Sequence, residues 1–204
     1  MSIKVEFHFD FGSPNAYLAH RVIPAIESRT GTTFSYVPVL IGGVFKATNN
    51  KSPMEALEGI KNKPEYNALE TRRFLQKHQI TEFRKNPFFP VNTLHLMRGA
   101  IAAQELGVGP QYIDAVFKCM WEQALNMGDS EQVVSALKTA PFSISQIIKN
   151  SSDPAIKQQL IQNTETSVAR GNFGSPTFFV GDEMYFGKDK LVDVENEITR
   201  QLKD

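Results

Sequence analysis

FDFGSPNAYLAHRVIP, residues Phe9 to Pro24, sets a lone serine where a strand stops and a helix starts. Just upstream, IKVEFHFDF (3–11) alternates Ile3, Val5, Phe7 and Phe9 with Lys4, Glu6, His8 and Asp10, the two-residue period of a strand with one buried face. Downstream, Pro14 stands at a first helical position, and Tyr17, Leu18, Val22 and Ile26 recur at helical spacing before Gly31. Backbone N–H groups at such a join point outward and attract anions, so Ser13 is open to three roles: helix cap, nucleophile or ligand anchor. Serine followed by proline is a strong cap signature. A hydrolase nucleophile would need a base and a G-x-S-x-G elbow, and Asn15 stands where the second glycine belongs.

Working outward, TTFSYVPVL (32–40) reads as a second strand, and from about Gly42 to about Thr166 the pattern is helical almost throughout. Strands return in PTFFVGDEMYFGKDKL (176–191): Phe178 to Val180, a Gly181–Asp182 turn and Met184 to Phe186 form a short hairpin. A closing helix carries Leu191, Val194, Ile198 and Leu202 on one stripe. This order predicts one α/β domain, residues 1–41 and 167–204, interrupted by an all-helical insertion over 42–166. No internal repeat or long linker separates independent modules.

Composition narrows the functions. Hydrophobic residues make up 41% of the 204, enough to fill a core, and 22 acidic residues balance 22 basic ones. That balance favours neither nucleic acid nor an anionic membrane surface as partner, and a small neutral or anionic ligand fits better. The single cysteine, Cys119, excludes an internal disulfide, and four scattered histidines without a second cysteine give no metal pattern. A strand begins almost at once, without an apolar signal core, and no apolar run approaches membrane-spanning length, so a cytoplasmic protein is expected.

FDFGSPNAYLA, GGVFKATNNKSP (42–53), NPFFPVNTLHLMRGAIAA (86–103) and GNFGSPTFFVGDEMYFGKDKL (171–191), taken in order, closely resemble the 2-hydroxychromene-2-carboxylate isomerases, which are related to kappa-class glutathione transferases and DsbA-type oxidoreductases. The resemblance spans essentially the whole chain and implies a thioredoxin-like fold carrying the helical insertion. It also implies glutathione as cofactor, added transiently as a thioether to an unsaturated aromatic carboxylate while a double bond rotates. A kappa-like transferase or peroxidase acting on other electrophiles, or a non-enzymatic binding protein of the same fold, are the alternatives. Relatives are commonly homodimers, and 15 phenylalanines leave apolar surface to pair, so a dimer is expected.

By this resemblance, Ser13 to Ala16 occupies the place of a Cys-x-x-Cys pair. Serine and alanine there cannot cycle a disulfide, but the positive start of the helix and the Ser13 hydroxyl can stabilise a thiolate brought by a ligand. The glutathione-binding set implied is Pro14, Asn50, Lys51, Ser175, Pro176, Lys188 and Asp189. Pro176 is expected to be cis, with the Ser175 main chain pairing with the tripeptide backbone and Lys188–Asp189 holding the γ-glutamyl end. KATNNKSP (46–53) reads by composition as a polar loop. Phe88, Phe89, Pro90 and Asn92 are the candidate substrate pocket, the other reading being that the aromatics are core and Asn92 caps a helix. Lys46, Lys51 or Arg98 is left to neutralise a substrate carboxylate.

Overall fold

A computed structural model describes residues 3–203. Its sheet has four strands, β1 (Val5–Phe9), β2 (Phe34–Pro38), β3 (Thr177–Val180) and β4 (Glu183–Phe186), in the order β2-β1-β3-β4. β1 runs parallel to β2 and antiparallel to β3, and β3 pairs antiparallel with β4, Val180 facing Glu183 across the expected Gly181–Asp182 turn. α1 (Pro14–Thr30) is the crossover between the two parallel strands. Between β2 and β3 lies the helical insertion: α2 (Ile41–Thr48), α3 (Pro53–Ala56), α4 (Lys63–Lys77), α5 (Leu94–Glu105), α6 (Gly109–Trp121), α7 (Ser130–Leu137), α8 (Ile144–Ser151) and α9 (Pro154–Ala169). A 3-10 turn (Lys188–Lys190) leads into α10 (Leu191–Gln201). This is the thioredoxin-like α/β fold with a helical insertion.

The strand pattern of β1 holds, but both of its faces are buried. Phe7 and Phe9 pack with Tyr36, Phe178 and Phe117 beneath α1 and α6. Glu6, His8 and Asp10, expected on an open face, are buried, Glu6 and His8 against the end of α9 and Asp10 against the starts of α2 and α5. Central position in the sheet decides this, and each polar group answers by pairing: Glu6 with Arg170, His8 Nδ1 with the Ser167 hydroxyl at 2.8 Å, Asp10 with donors around the first turn of α1. Two other expectations are corrected. The polar-loop reading of 46–53 fails over Lys46–Thr48, which closes α2, and the helical pattern expected almost throughout 42–166 breaks after α6, which stops at Trp121.

Candidate active site

Ser13 is the N-cap of α1, in extended backbone (φ −92°, ψ 113°), and its Oγ accepts from the Ala16 N–H at 3.1 Å. The same hydroxyl donates to the Ser175 carbonyl at 2.8 Å. Ser175 Oγ in turn accepts from the Asp10 N–H at 3.2 Å. The two Gly-Ser-Pro triplets, 162 residues apart, therefore interlock at the start of one helix. The Ser175–Pro176 peptide is cis, and the Ser175 N–H donates to no group among the described residues.

The loop before Pro176 is built to hold this arrangement. Buried Asn172 accepts from the Gly174 N–H and the Thr177 hydroxyl, both at 2.8 Å, and donates to Ser167 at 2.7 Å. Gly174 is required here, because a Cβ would lie 2.7 Å from the Phe186 ring. On the opposite side, Trp121 Nε1 donates to the Phe11 carbonyl at 2.8 Å and fixes the entry to the turn.

Asp10 is the residue that sequence reasoning missed. Fully buried, its carboxylate accepts from Gly12 N–H at 2.8 Å, Thr93 Oγ1 at 2.7 Å and Ile41 N–H at 2.8 Å, tying together the starts of α1, α5 and α2. Burial pushes its carboxyl above the usual range, and the three donors oppose that. A signal was available: an aspartate two residues before a glycine makes the local turn in which its side chain takes the N–H two positions on.

Of the remaining expected residues, Pro14 occupies the first turn of α1, and Asn50 donates to the Phe173 carbonyl at 2.8 Å, which sets it and exposed Lys51 on the rim beside the Pro176 loop. Gly187 N–H donates to the Pro176 carbonyl at 2.9 Å, so the following segment also starts at the site. Its two candidates stay together. Asp189 is exposed and the Lys188 side chain is buried, 2.6 Å from the Asp189 carboxylate and 4.7 Å from the centre of the Phe74 ring. Both line a cavity of about 330 Å³ with Val22 and Ile26. Val22 lies roughly 13 Å along α1 from Ser13 at 1.5 Å per residue, so the pair is turned away from the serine.

The 86–93 loop borders the same turn through Thr93. Asn86 anchors it, donating to the Met120 and Leu125 carbonyls at 2.8 and 2.9 Å and accepting from Phe88 N–H. Phe89 is half-buried against Trp121, but Phe88 is 51% exposed, and Pro90 and Asn92 are exposed too. Asn92 Oδ1 also accepts from the Leu94 N–H at 3.1 Å at the head of α5. Lys46 and Arg98 line one cavity between α2, α5 and α9, and Lys51 is not part of it.

The chain's own thiol is placed for packing. Cys119 is buried in α6, and burial, with Glu122 adding, pushes it up to about 11. It is a thiol rather than a thiolate near neutral pH. Among the described residues, no cluster of His, Cys, Asp or Glu could hold a metal ion, and no helix is long and apolar enough to cross a membrane.

A hydroxyl at the helix start, locked to the main chain before a cis proline with no thiol beside it, defines a thioredoxin-type site without a dithiol. The chain belongs to the DsbA-like thioredoxin domain family, whose model matches residues 4–199. It is 27% identical to a 2-hydroxychromene-2-carboxylate isomerase of Pseudomonas putida, over 96% of this chain and 94% of that one. A kappa 1 glutathione S-transferase of Caenorhabditis elegans is 23% identical, over 92% and 87%. Among solved structures, a 2-hydroxychromene-2-carboxylate isomerase superposes with a TM-score of 0.82 at 24% identity, covering 98% of this chain and 96% of that one. A probable DsbA oxidoreductase of Streptomyces coelicolor follows with a TM-score of 0.69 at 15% identity, over 98% and 89%.

Proposed function

We propose that the protein is a glutathione-dependent isomerase of 2-hydroxychromene-2-carboxylate-type substrates, with Ser13 as its catalytic residue. The observation that carries this reading is the Ser13 hydroxyl at the head of α1, 2.8 Å from the Ser175 carbonyl. A ligand thiol entering there meets a hydroxyl donor and the positive end of a helix, the two features that favour thiolate over thiol. The Ser175 N–H, unpaired among the described residues, is a ready donor to the carbonyl of an extended peptide. Asn50 and Lys51 stand beside the Pro176 loop as candidates for the rest of a tripeptide. The residues present thus fit glutathione, which when bound supplies the nucleophilic thiol that the protein itself lacks at this place.

The chain's own contribution is positional and electrostatic. Ser13 donates a hydrogen bond to the thiolate sulfur by rotating its O–H from the Ser175 carbonyl, keeping its proton, while the Ala16 N–H continues to support its oxygen. Phe88, Phe89, Pro90 and Asn92, on the loop tied to the serine turn through Thr93, form a rim that offers aromatic surface to a planar substrate as it enters. The transferase reading has the kappa-class relative in its favour. Calorimetric titration with glutathione, followed by spectrophotometry of 2-hydroxychromene-2-carboxylate with and without it, tests the proposal. Binding together with glutathione-dependent isomerisation is expected; binding with thioether formation on a test electrophile but no isomerisation would make it a transferase, and no binding would overturn both.

A further inference from the structure

Between α2, α5 and α9 lies a cavity of about 380 Å³, within the size range of small-ligand pockets. Its walls are apolar: Leu40, Ala47, Leu94, Leu160, Ile161 and Val168. Three cations, Lys46, Arg98 and Lys157, line it against one carboxylate, Glu165. Each of the three comes from a different helix, and none has an ion-pair or hydrogen-bond partner among the described residues. Arg98 is the most exacting of them, because its Nε is buried and unsatisfied. Buried polar atoms are nearly always paired, so an orphaned guanidinium nitrogen beside an apolar cavity marks the place of a missing acceptor. Lys157, in the first turn of α9, adds positive charge where the helix N-terminus already supplies it.

We infer that this cavity binds an organic carboxylate with a flat or branched apolar body, Arg98 taking the carboxylate and Lys46 and Lys157 supplying the remaining charge. A planar guanidinium can meet a carboxylate with two parallel bonds, and the apolar walls take the body. Inorganic anions fit less well, because most of the lining cannot hydrogen-bond. The cavity adjoins the segments that hold the serine turn. Leu40 and Leu94 line it, and their neighbours Ile41 and Thr93 both donate to Asp10, whose carboxylate holds Gly12 beside Ser13. Taken with the glutathione reading proposed above, on which only this last role rests, the cavity is the acceptor site, and its three cations select acidic acceptors over neutral ones.

Cinnamate and its uncharged isostere cinnamamide serve as probes, titrated calorimetrically without glutathione into the wild-type protein, Arg98→Met and Lys46→Met. Cinnamate is expected to bind wild type at least about tenfold more tightly than the amide, the worth of one charge-assisted contact. Arg98→Met should weaken cinnamate by about tenfold or more and leave the amide unchanged; Lys46→Met should weaken it less. Thermal melts of the variants check folding, and Lys46→Met reports on the same charge dependence if Arg98→Met is unstable. Equal affinity for acid and amide, or cinnamate binding untouched in both variants, would overturn the inference. Because glutathione is titrated separately, carboxylate binding without glutathione binding would leave the cavity assignment standing and take down the acceptor role alone.

Discussion

At the scale of single residues, Ser13 performs two tasks that one substitution separates. It caps α1 through the Ala16 N–H and donates to the Ser175 carbonyl. Ser13→Ala removes both bonds, and the lost cap with a partly buried carbonyl left short of a donor should lower stability by about 1–2 kcal/mol. If the hydroxyl also serves a bound thiolate, a charge-assisted bond worth roughly 1.5–3 kcal/mol is lost with it, and the thiol's pKa rises by about 1–2 units. Thiolate absorbance of the glutathione complex against pH, measured beside the unfolding midpoint, distinguishes the roles. A stability loss with an unmoved thiol titration would leave Ser13 as a cap only. This residue was legible because its signals are local: a strand period, a serine and a proline in consecutive positions. Asp10 was not read, since its three partners sit on three segments that only the fold assembles, and neither was the direction of Lys188, which is set by Phe74 on α4.

At the scale of elements, periodicity revealed those whose apolar stripe is long and missed those whose ends are set by distant groups. α1, the hairpin and α10 were readable in that way. α2 was partly read as loop, since IGGVFKAT is short and holds two glycines; its start is fixed by Asp10 and its Gly43 lies against Thr164 of α9, where a Cβ would come within 3.2 Å. The premature end of α6 has a similar cause, because Asn86 captures the Met120 and Leu125 carbonyls and the chain turns at Ala124 with φ +55°. Helix contact also fixes Gly99. Tyr112 of α6 lies over it with its hydroxyl donating to the Leu96 carbonyl at 3.3 Å, and a Cβ at Gly99 would fall 2.3 Å from that hydroxyl. Gly99→Ala gains about 1 kcal/mol of helix propensity and yet should destabilise, overpacking costing about 1–3 kcal/mol. Adding Tyr112→Phe removes the nearest clashing atom, so denaturant melts of the double variant should show part of the loss restored. A stabilised single variant would mean the two helices are free to move apart.

At the scale of the whole molecule, the central strand carries its phenylalanines on one face and a row of ionisable groups on the other, so sealing the core means sealing that row as well. Alternation made β1 visible, but its open-face reading could not survive a position between β2 and β3 with α9 across it. The cost of that burial falls on His8. Desolvation, reinforced by Arg170 and Lys4 and opposed by Glu6, pushes its imidazole down from 6.5 to about 4, and its Nε2 finds no hydrogen-bond partner. In the unfolded chain the same group titrates near 6.5. Between those values the unfolded state takes up a proton that the folded state refuses, so stability is intact above about pH 6.5 and falls as the pH drops toward 4. With 1.36 kcal/mol per unit, the shift corresponds to about 3 kcal/mol over that window. Glu6, held below its usual range by Lys4 and Arg170 against the cost of burial, loses its contribution in the same direction but at lower pH, as it protonates. The two are separable by substitution. His8→Leu removes the imidazole while Ser167 keeps its bond from Asn172, so the variant should be less steeply destabilised between pH 6.5 and 4.5 than wild type, whatever its stability at pH 8. Urea unfolding at half-unit pH intervals gives both slopes, and parallel curves for the two proteins would show that His8 charges in the folded state as readily as in the unfolded one.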